Sequence, residues 1–398
     1  MSPRVPRVRG FQAAGVSCGI KGPGPDLALL VSDRPATVAG VFARSTVVGA
    51  PVELSRTRVR RGTSRAVVVN SGVSNVAMGA RGLRDAEAMA AAAAKAAGLE
   101  PRDVLVASTG VIGEPLPLPK IRRGVREASA ALRPGGLGDA ARAIMTTDTV
   151  PKLAVRHLRL GGREVTLAGI AKGSGMIEPD MATMLAFLVT DAPVAPAFLR
   201  RSLREAADTS FNRVSVDGEG STSDMVLLLA NGAAGGSPLG GPSSPGARVF
   251  REGLRAVCEE LAQALARDGE GATKLVTVSV EGARSAAEAE RTARRIANSM
   301  LVKTALFGGD PNWGRILQTI GAGRTALRLE RTEIALGGVT VFRHGASAGS
   351  GARRRAAARL ARDEIGICVK LGAGRGRARI WTCDLSTDYV RINAEYTT

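Results

Sequence analysis

The chain reads as a mixed fold, α/β or α+β, on three observations. Apolar runs of strand length recur along it, helix-period segments separate them, and a composition of 44% hydrophobic and 23% charged residues supplies a large core. Its 398 residues and 41.0 kDa fit two or three domains, or one large one. The order of strands in the sheet does not follow from the sequence.

The first third gives a β-α-β unit. Ala66–Asn70 (AVVVN) suits a buried strand, Asp85–Ala97 is an Ala-rich helix closed by Gly98, and Val104–Ala107 is the next strand. Val165–Ile170 and Met184–Val189 read as buried strands around a Gly-rich turn. Pro196–Ser210 reads as a helix, with proline at its start where a missing N–H costs nothing. Met225–Ala230 is a strand, and Gly232–Gly246 (GAAGGSPLGGPSSPG) reads as a flexible surface loop. Val249–Arg267 is an amphipathic helix, Thr273–Val280 alternates as a half-exposed strand, and Ala286–Met300 is a further helix. Strands are expected again at Glu333–Phe342, Ile365–Leu371 and Ala378–Cys383. No fixed-period repeat is present.

Composition excludes several classes. No stretch of about 18 apolar residues free of charge occurs, so no transmembrane helix is expected. Met1–Gly10 is basic and lacks the apolar centre of a secretory signal, which points to the cytoplasm. Cys18, Cys258, Cys368 and Cys383 lie far apart, so neither a zinc site nor a disulfide scaffold is expected. The net charge of +19 is tempting as a sign of nucleic acid. Of the 55 basic residues only eight are lysine; the arginines are mostly dispersed, and aromatic residues make up 3%, which leaves few stacking platforms. Nucleic acid is not expected as a partner.

Only His157 and His344 are available to a Ser-His-Asp or Cys-His mechanism. The strings Gly15-Val-Ser-Cys-Gly19 and Gly345-Ala-Ser-Ala-Gly349 match a hydrolase elbow in letters only, since no histidine follows Ser347 and no clear strand precedes Ser17. A phosphate-binding G-x-x-x-x-G-K-[ST] loop is missing, and Gly372-Ala-Gly-Arg-Gly376 does not open a helix after a strand.

One segment looks chemical: Ala171-Lys-Gly-Ser-Gly-Met-Ile-Glu-Pro-Asp-Met-Ala-Thr-Met-Leu185. It reads as a plain turn into a strand, as a loop for a phosphate-sized anion, or as the carrier of a nucleophile at Thr183. A threonine hydroxyl is a weak nucleophile, and this chain has almost no histidine to activate it. Cleavage of the Ala182–Thr183 bond would expose a threonine α-amine, whose unperturbed pKa of roughly 7.7 to 8.0 suits a local general base.

That segment closely resembles the self-cleavage signature of the ornithine acetyltransferase (glutamate N-acetyltransferase) family. The likeness continues in GFQAAGVSCGIK at Gly10, PATVAGVF at Pro35, VVVNSG at Val67 and ASTGVIG at Ala107. It extends through MTTDTVPK at Met145, DGEGATKL at Asp268, LVKTALFGGDPNWGRI at Leu301 and WTCDLSTDYVRINAEYTT at the end. The resemblance implies an α/β fold of ornithine acetyltransferase type, with mixed sheets packed by helices. It implies self-cleavage between Ala182 and Thr183 into an N-terminal chain, 1–182, and a C-terminal chain, 183–398. Thr183 would be the nucleophile, and Thr109 with Gly110 the oxyanion hole. Thr146, Lys172, Thr183, Glu270, Asn393 and Thr398 would contact substrate. Lys172 would meet a carboxylate and Glu270 an ammonium; without the resemblance they read as a surface lysine and a helix-end glutamate.

The implied activity is ping-pong acetyl transfer from N2-acetyl-L-ornithine to L-glutamate in arginine biosynthesis, with no metal and no bound cofactor. Acetyl-CoA enters as a co-substrate in some members of the family. The implied assembly is a heterotetramer of two N-terminal and two C-terminal chains. Two stretches depart from the family pattern: Val73-Ser74-Asn75 stands for the usual N-A-N, and Asp217-Gly-Glu-Gly-Ser-Thr-Ser-Asp224 for D-G-D-T-S-T-N-D. These leave room for a paralogue acting on other acylated amino acids. An N-terminal-nucleophile amidase, with water as acceptor, and a basic binding protein without chemistry are the competing classes.

Overall fold

The computed structural model describes residues 7–178 and 184–395, which form two compact units. The first takes in residues up to Asn212 together with Gly220–Leu261, and the second takes Arg213–Glu219 with the chain from Ala262 on.

Strands of the first unit are β1 (Phe11–Val16), β2 (Leu27–Phe42), β3 (Thr63–Val73), β4 (Val104–Val111), β5 (Lys152–Leu160), β6 (Arg163–Lys172), β7 (Leu185–Thr190) and β8 (Met225–Ala230). They form one mixed sheet in the order β4-β3-β2-β8-β7-β6-β5, with β1 on β2. β3–β4 and β7–β8 run parallel, each joined by a helical crossover as parallel pairing demands. Its helices are α1 (Ala50–Val59), α2 (Gly79–Ala97), α3 (Leu118–Ala130), α4 (Leu137–Ala143), α5 (Pro196–Thr209) and the larger part of α6 (Ala247–Arg267).

Alternation along β3 and β4 sorts the core. Ala66, Val68, Val104 and Val106 pack with Met89 and Ala93 of α2 and with Ile121 and Val125 of α3. Val67, Val69, Leu105 and Ala107 join the other face with Ala140 and Ile144 at α4. The alanine run Ala90–Ala94 thus lets α2 sit close to the sheet, and Gly98 ends it in the left-handed conformation, φ +65°. On the β6 side, Val257 and Leu261 of α6 lie over Gly169, where a Cβ would come within 3.2 Å of them.

The second unit has β9 (Leu275–Ala283), α7 (Ala286–Asn298), α8 (Met300–Phe307), α9 (Trp313–Ala322), β10 (Glu333–Leu336), β11 (Val339–Arg343), β12 (Ala346–Ser347), α10 (Gly349–Leu360), β13 (Glu364–Lys370), β14 (Gly376–Cys383) and α11 (Thr387–Glu395). Its sheet runs β12-β11-β10-β13-β9-β14, and β9–β13 is the parallel pair. Val276, Val278 and Val280 of β9 face the helices, packing with Ala289, Ala293 and Ile296 of α7.

Three expectations are corrected. Glu333–Phe342 is a hairpin, not one strand, because Gly337 and Gly338 both take positive φ (+55° and +80°), the two-residue turn that suits antiparallel strands. The helix expected over Ala286–Met300 stops at Asn298, and Ser299 caps a new one by accepting from the Val302 amide at 3.4 Å. The Gly232–Gly246 loop is tied down in its middle, where Leu239 is buried and pairs with Val194. All four cysteines are unpaired. Among the described residues no helix is long and apolar enough to cross a membrane.

Candidate active site

The site of the first unit forms where β3, β4 and β6 end together. Thr109 and Gly110 close β4, in parallel register with Ser71 and Gly72 of β3. The two glycines touch. Gly110 has φ +127°, and a Cβ there would lie 2.3 Å from the Gly72 carbonyl carbon, so only glycine fits. Gly72 in turn, at φ +110°, backs onto Ile20 and Lys21. Buried polar groups fix these strand ends: Ser108 Oγ donates to Asn70 Oδ1 (2.6 Å), Asn70 Nδ2 to Val73 O (2.8 Å) and Ser71 Oγ to Ala143 O (2.8 Å). The first departure from the family pattern follows these strand ends: Val73 is buried in the α2–α3 core, and Ser74 Oγ donates to Val111 O (2.7 Å).

Lys172 ends β6 and is buried. Its ammonium donates to Thr146 Oγ1 at 2.7 Å and Thr109 Oγ1 at 3.3 Å, which brings together three of the residues named from the sequence. Thr109, as an acceptor from a cation, has its own hydroxyl hydrogen to direct elsewhere. Behind Thr146 sits Asp148, which accepts from Thr146 N (3.1 Å), Gly173 N (2.7 Å) and Lys152 Nζ (2.6 Å). Its carboxylate joins the start of β5 to the Gly-Ser-Gly turn after β6. The Gly173 amide is therefore engaged, which weighs against the anion-loop reading of that turn.

Burial opposes the Asp148 charge, but Lys172, Lys152 and the Gly173 amide outweigh it and hold its pKa at about 2, below the ordinary 3.8. A carboxylate with a depressed folded pKa adds stability above 3.8 and loses it as pH falls toward 2. Unfolding in urea between pH 6 and pH 2.5 should show that loss, on the order of 2 kcal/mol from this group. Asp148→Asn, which removes the carboxylate paired with the buried Lys152, should cost about 3–5 kcal/mol at pH 7 and flatten the acid slope.

Sequence reasoning missed Asp148 and Lys21. Lys21 is half-buried and donates to Met145 O beside Thr146 (2.5 Å); burial first, then Lys172, pushes its pKa down. Asp26, fully buried, shapes that turn by accepting from the amides of Cys18 (2.7 Å), Ile20 (2.5 Å) and Lys21 (3.3 Å). Asp148 and Lys21 both stand inside the quoted motifs MTTDTVPK and GFQAAGVSCGIK, and that placement was the available signal.

In the second unit, Asn393 Nδ2 on α11 donates to Glu270 Oε2 at 2.8 Å, which pairs two further residues named from the sequence. Tyr389, one turn earlier, donates to Asp217 Oδ2 at 3.4 Å; burial and the charges of Asp217 and Glu270 push its hydroxyl pKa up. Ala182, Thr183 and Thr398 lie outside the described residues. His157 Nδ1 sits 3.2 Å from Thr166 Oγ1, and His344 is an exposed turn residue. Among the described residues no group of three or more His, Cys, Asp or Glu is placed to hold a metal.

Comparison with known proteins agrees with the pattern read from the motifs. The profile of the ArgJ family matches residues 12–398. The arginine biosynthesis bifunctional protein ArgJ of Symbiobacterium thermophilum is 49% identical over 393 residues, covering 98% of this chain and 97% of that protein. The protein of the same name from Geobacter sulfurreducens is 49% identical over 392 residues, covering 98% and 100%. Among solved structures, a chain of the arginine biosynthesis bifunctional protein ArgJ of Bacillus halodurans is 42% identical with a TM-score of 0.51, covering 54% of this chain and all of that one. With a family match over nearly its whole length and relatives of this identity, the chain belongs to the ArgJ family.

Proposed function

We propose that this chain is an acyltransferase of arginine biosynthesis that moves the acetyl group of N2-acetyl-L-ornithine to L-glutamate through an acetyl-Thr183 ester. The observation that carries the reading is Lys172, which ends β6, the strand before the Ala182–Thr183 segment, and bridges Thr109 and Thr146. After cleavage, the Thr183 hydroxyl attacks the acetyl carbonyl while its own α-amine takes the proton. The Thr109 hydroxyl and the Gly110 amide meet the oxyanion. The C–N bond breaks, ornithine leaves with that proton, and the glutamate amine attacks the ester to give N-acetylglutamate. Lys172 and Thr146 serve the substrate carboxylate. The family resemblance also assigns Glu270 to a substrate ammonium and Asn393 and Thr398 to substrate contact. No metal or bound cofactor enters this reading, and acetyl-CoA is the candidate second acetyl donor that the exchange assay tests.

The topology supports two cut pieces that stay together. β7 and β8 come from residues beyond the cut, yet β7 pairs with β6 and β8 with β2 from before it. Two such pairs form the proposed heterotetramer, working in the cytoplasm on small-molecule substrates.

The test is an exchange assay with N-acetylornithine and glutamate, run with and without acetyl-CoA. N-acetylglutamate formation in step with ornithine release supports the reading. Release of free acetate instead, indifferent to glutamate, would make the chain an amidase.

A further inference from the structure

Asp224 immediately precedes β8 and is buried. Its backbone carbonyl accepts from Ala43 N at 3.1 Å, which ties it to the end of β2. Its side chain is held at one oxygen only. Oδ1 accepts from the Met184 amide at 2.6 Å, whereas Oδ2 is buried with no hydrogen-bond partner among the described residues. A buried carboxyl oxygen left unpaired is costly, and native structures seldom carry one without a use. Burial pushes this carboxyl well above the ordinary carboxylate range, against the pull of the Met184 amide and Lys172, and a donor brought to Oδ2 would draw it back toward the ionised form.

The amide that Asp224 grips is the one that follows Thr183 in the chain. Bond lengths from one backbone nitrogen to the next add up to no more than about 4.3 Å, so the Thr183 nitrogen is tethered that close to the Met184 nitrogen. Cleavage between Ala182 and Thr183 turns that nitrogen from a peptide amide with one hydrogen into an amine with a basic lone pair and more than one hydrogen to donate.

We propose that Asp224 is a positioning residue for the nucleophile: Oδ1 anchors the amide after Thr183, and Oδ2 accepts from the α-amine that cleavage exposes. This rests on the acyl-transfer reading above. The amine is thereby turned so that its lone pair faces its own hydroxyl. Oδ1 organises the end of β7 in the uncut chain, and Oδ2 gains its partner only in the cut one.

Two full-length variants separate the two oxygens. Asp224→Asn keeps a carbonyl oxygen for the Met184 amide and replaces the second oxygen by a donor. It should be cut within about threefold of the wild-type rate on a denaturing gel, yet its kcat should fall at least about tenfold with KM for N-acetylornithine within about threefold. Asp224→Leu loses the anchor as well, and its cutting should slow at least about tenfold. An Asn variant with wild-type kcat, or a folded Leu variant cut at the wild-type rate, would overturn the proposal. If the Leu variant does not fold, as circular dichroism would reveal, the Asn variant decides alone. Wild-type protein in the same assay reports on the acyl-transfer reading separately, since that reading fails if the wild type is neither cut nor active.

Discussion

Thr183→Ala is expected to run as a single 41.0 kDa band and to show no acetyl exchange, whereas the wild type gives two bands near roughly 19 and 22 kDa, in proportion to chain length. The effect is large because one residue has two parts to play. On the proposed reading, a chain without this hydroxyl has no group to attack the Ala182 carbonyl, so the α-amine is never released, and the acyl carrier is gone too. Loss of a covalent nucleophile costs roughly 10⁴-fold or more in turnover. Thr183→Ser keeps a hydroxyl and should still be cut, with reduced exchange. The cut wild type should elute from a sizing column as one species, since β7 and β8 are laced between strands of the other piece. Should Thr183→Ala be cut like the wild type, the nucleophile lies elsewhere.

Thr109→Ala should lower kcat by about 10²–10³-fold with little change in thermal stability, the usual effect of removing one oxyanion donor. The residue is half-buried at the end of β4, and its Oγ1 accepts from the Lys172 ammonium, which polarises the hydroxyl toward donating its own hydrogen. Strand geometry should survive, because the pairing of β4 with β3 is made by backbone groups. A rate within twofold of wild type would remove Thr109 from that role. Thr109→Ser, which keeps the hydroxyl, should restore most of the activity.

Much of the fold was legible because buried parallel strands are short apolar runs and amphipathic helices carry their period openly. Ala66–Asn70, Val104–Ala107, Met184–Val189 and Met225–Ala230 all fall on strands of the first sheet, and the Thr273–Val280 alternation falls on β9. β2 escaped notice for a physical reason: its polar Ser32-Asp33-Arg34-Pro35 stretch interrupts the pattern, and the strand continues through a register shift between Val31 and Ala36. The helix α10 was hidden by its composition, since Arg353, Arg354 and Arg355 interrupt the apolar pattern and only Ala352, Ala356 and Leu360 are buried. The Gly337–Gly338 turn carried its own signal, two adjacent glycines between alternating apolar residues, and was read through.

Of the site, motif resemblance named Thr109, Thr146 and Lys172, and the structure brings Lys172 within hydrogen-bond reach of both threonines. What resemblance did not reach are the groups that hold them. Asp148 acts through two backbone amides and a lysine four residues on, and Asp224 grips an amide forty residues back in the chain. Such partners are set by tertiary pairing of strand ends, which local spacing does not encode.

The most direct measurement of the central claim is mass spectrometry of the purified protein after incubation with N-acetylornithine and no acceptor. The account predicts a C-terminal fragment beginning at Thr183 that carries one added acetyl group, which glutamate then removes. An unmodified fragment, or acetyl found on any other residue, in a preparation that exchanges acetyl groups at full rate would contradict it.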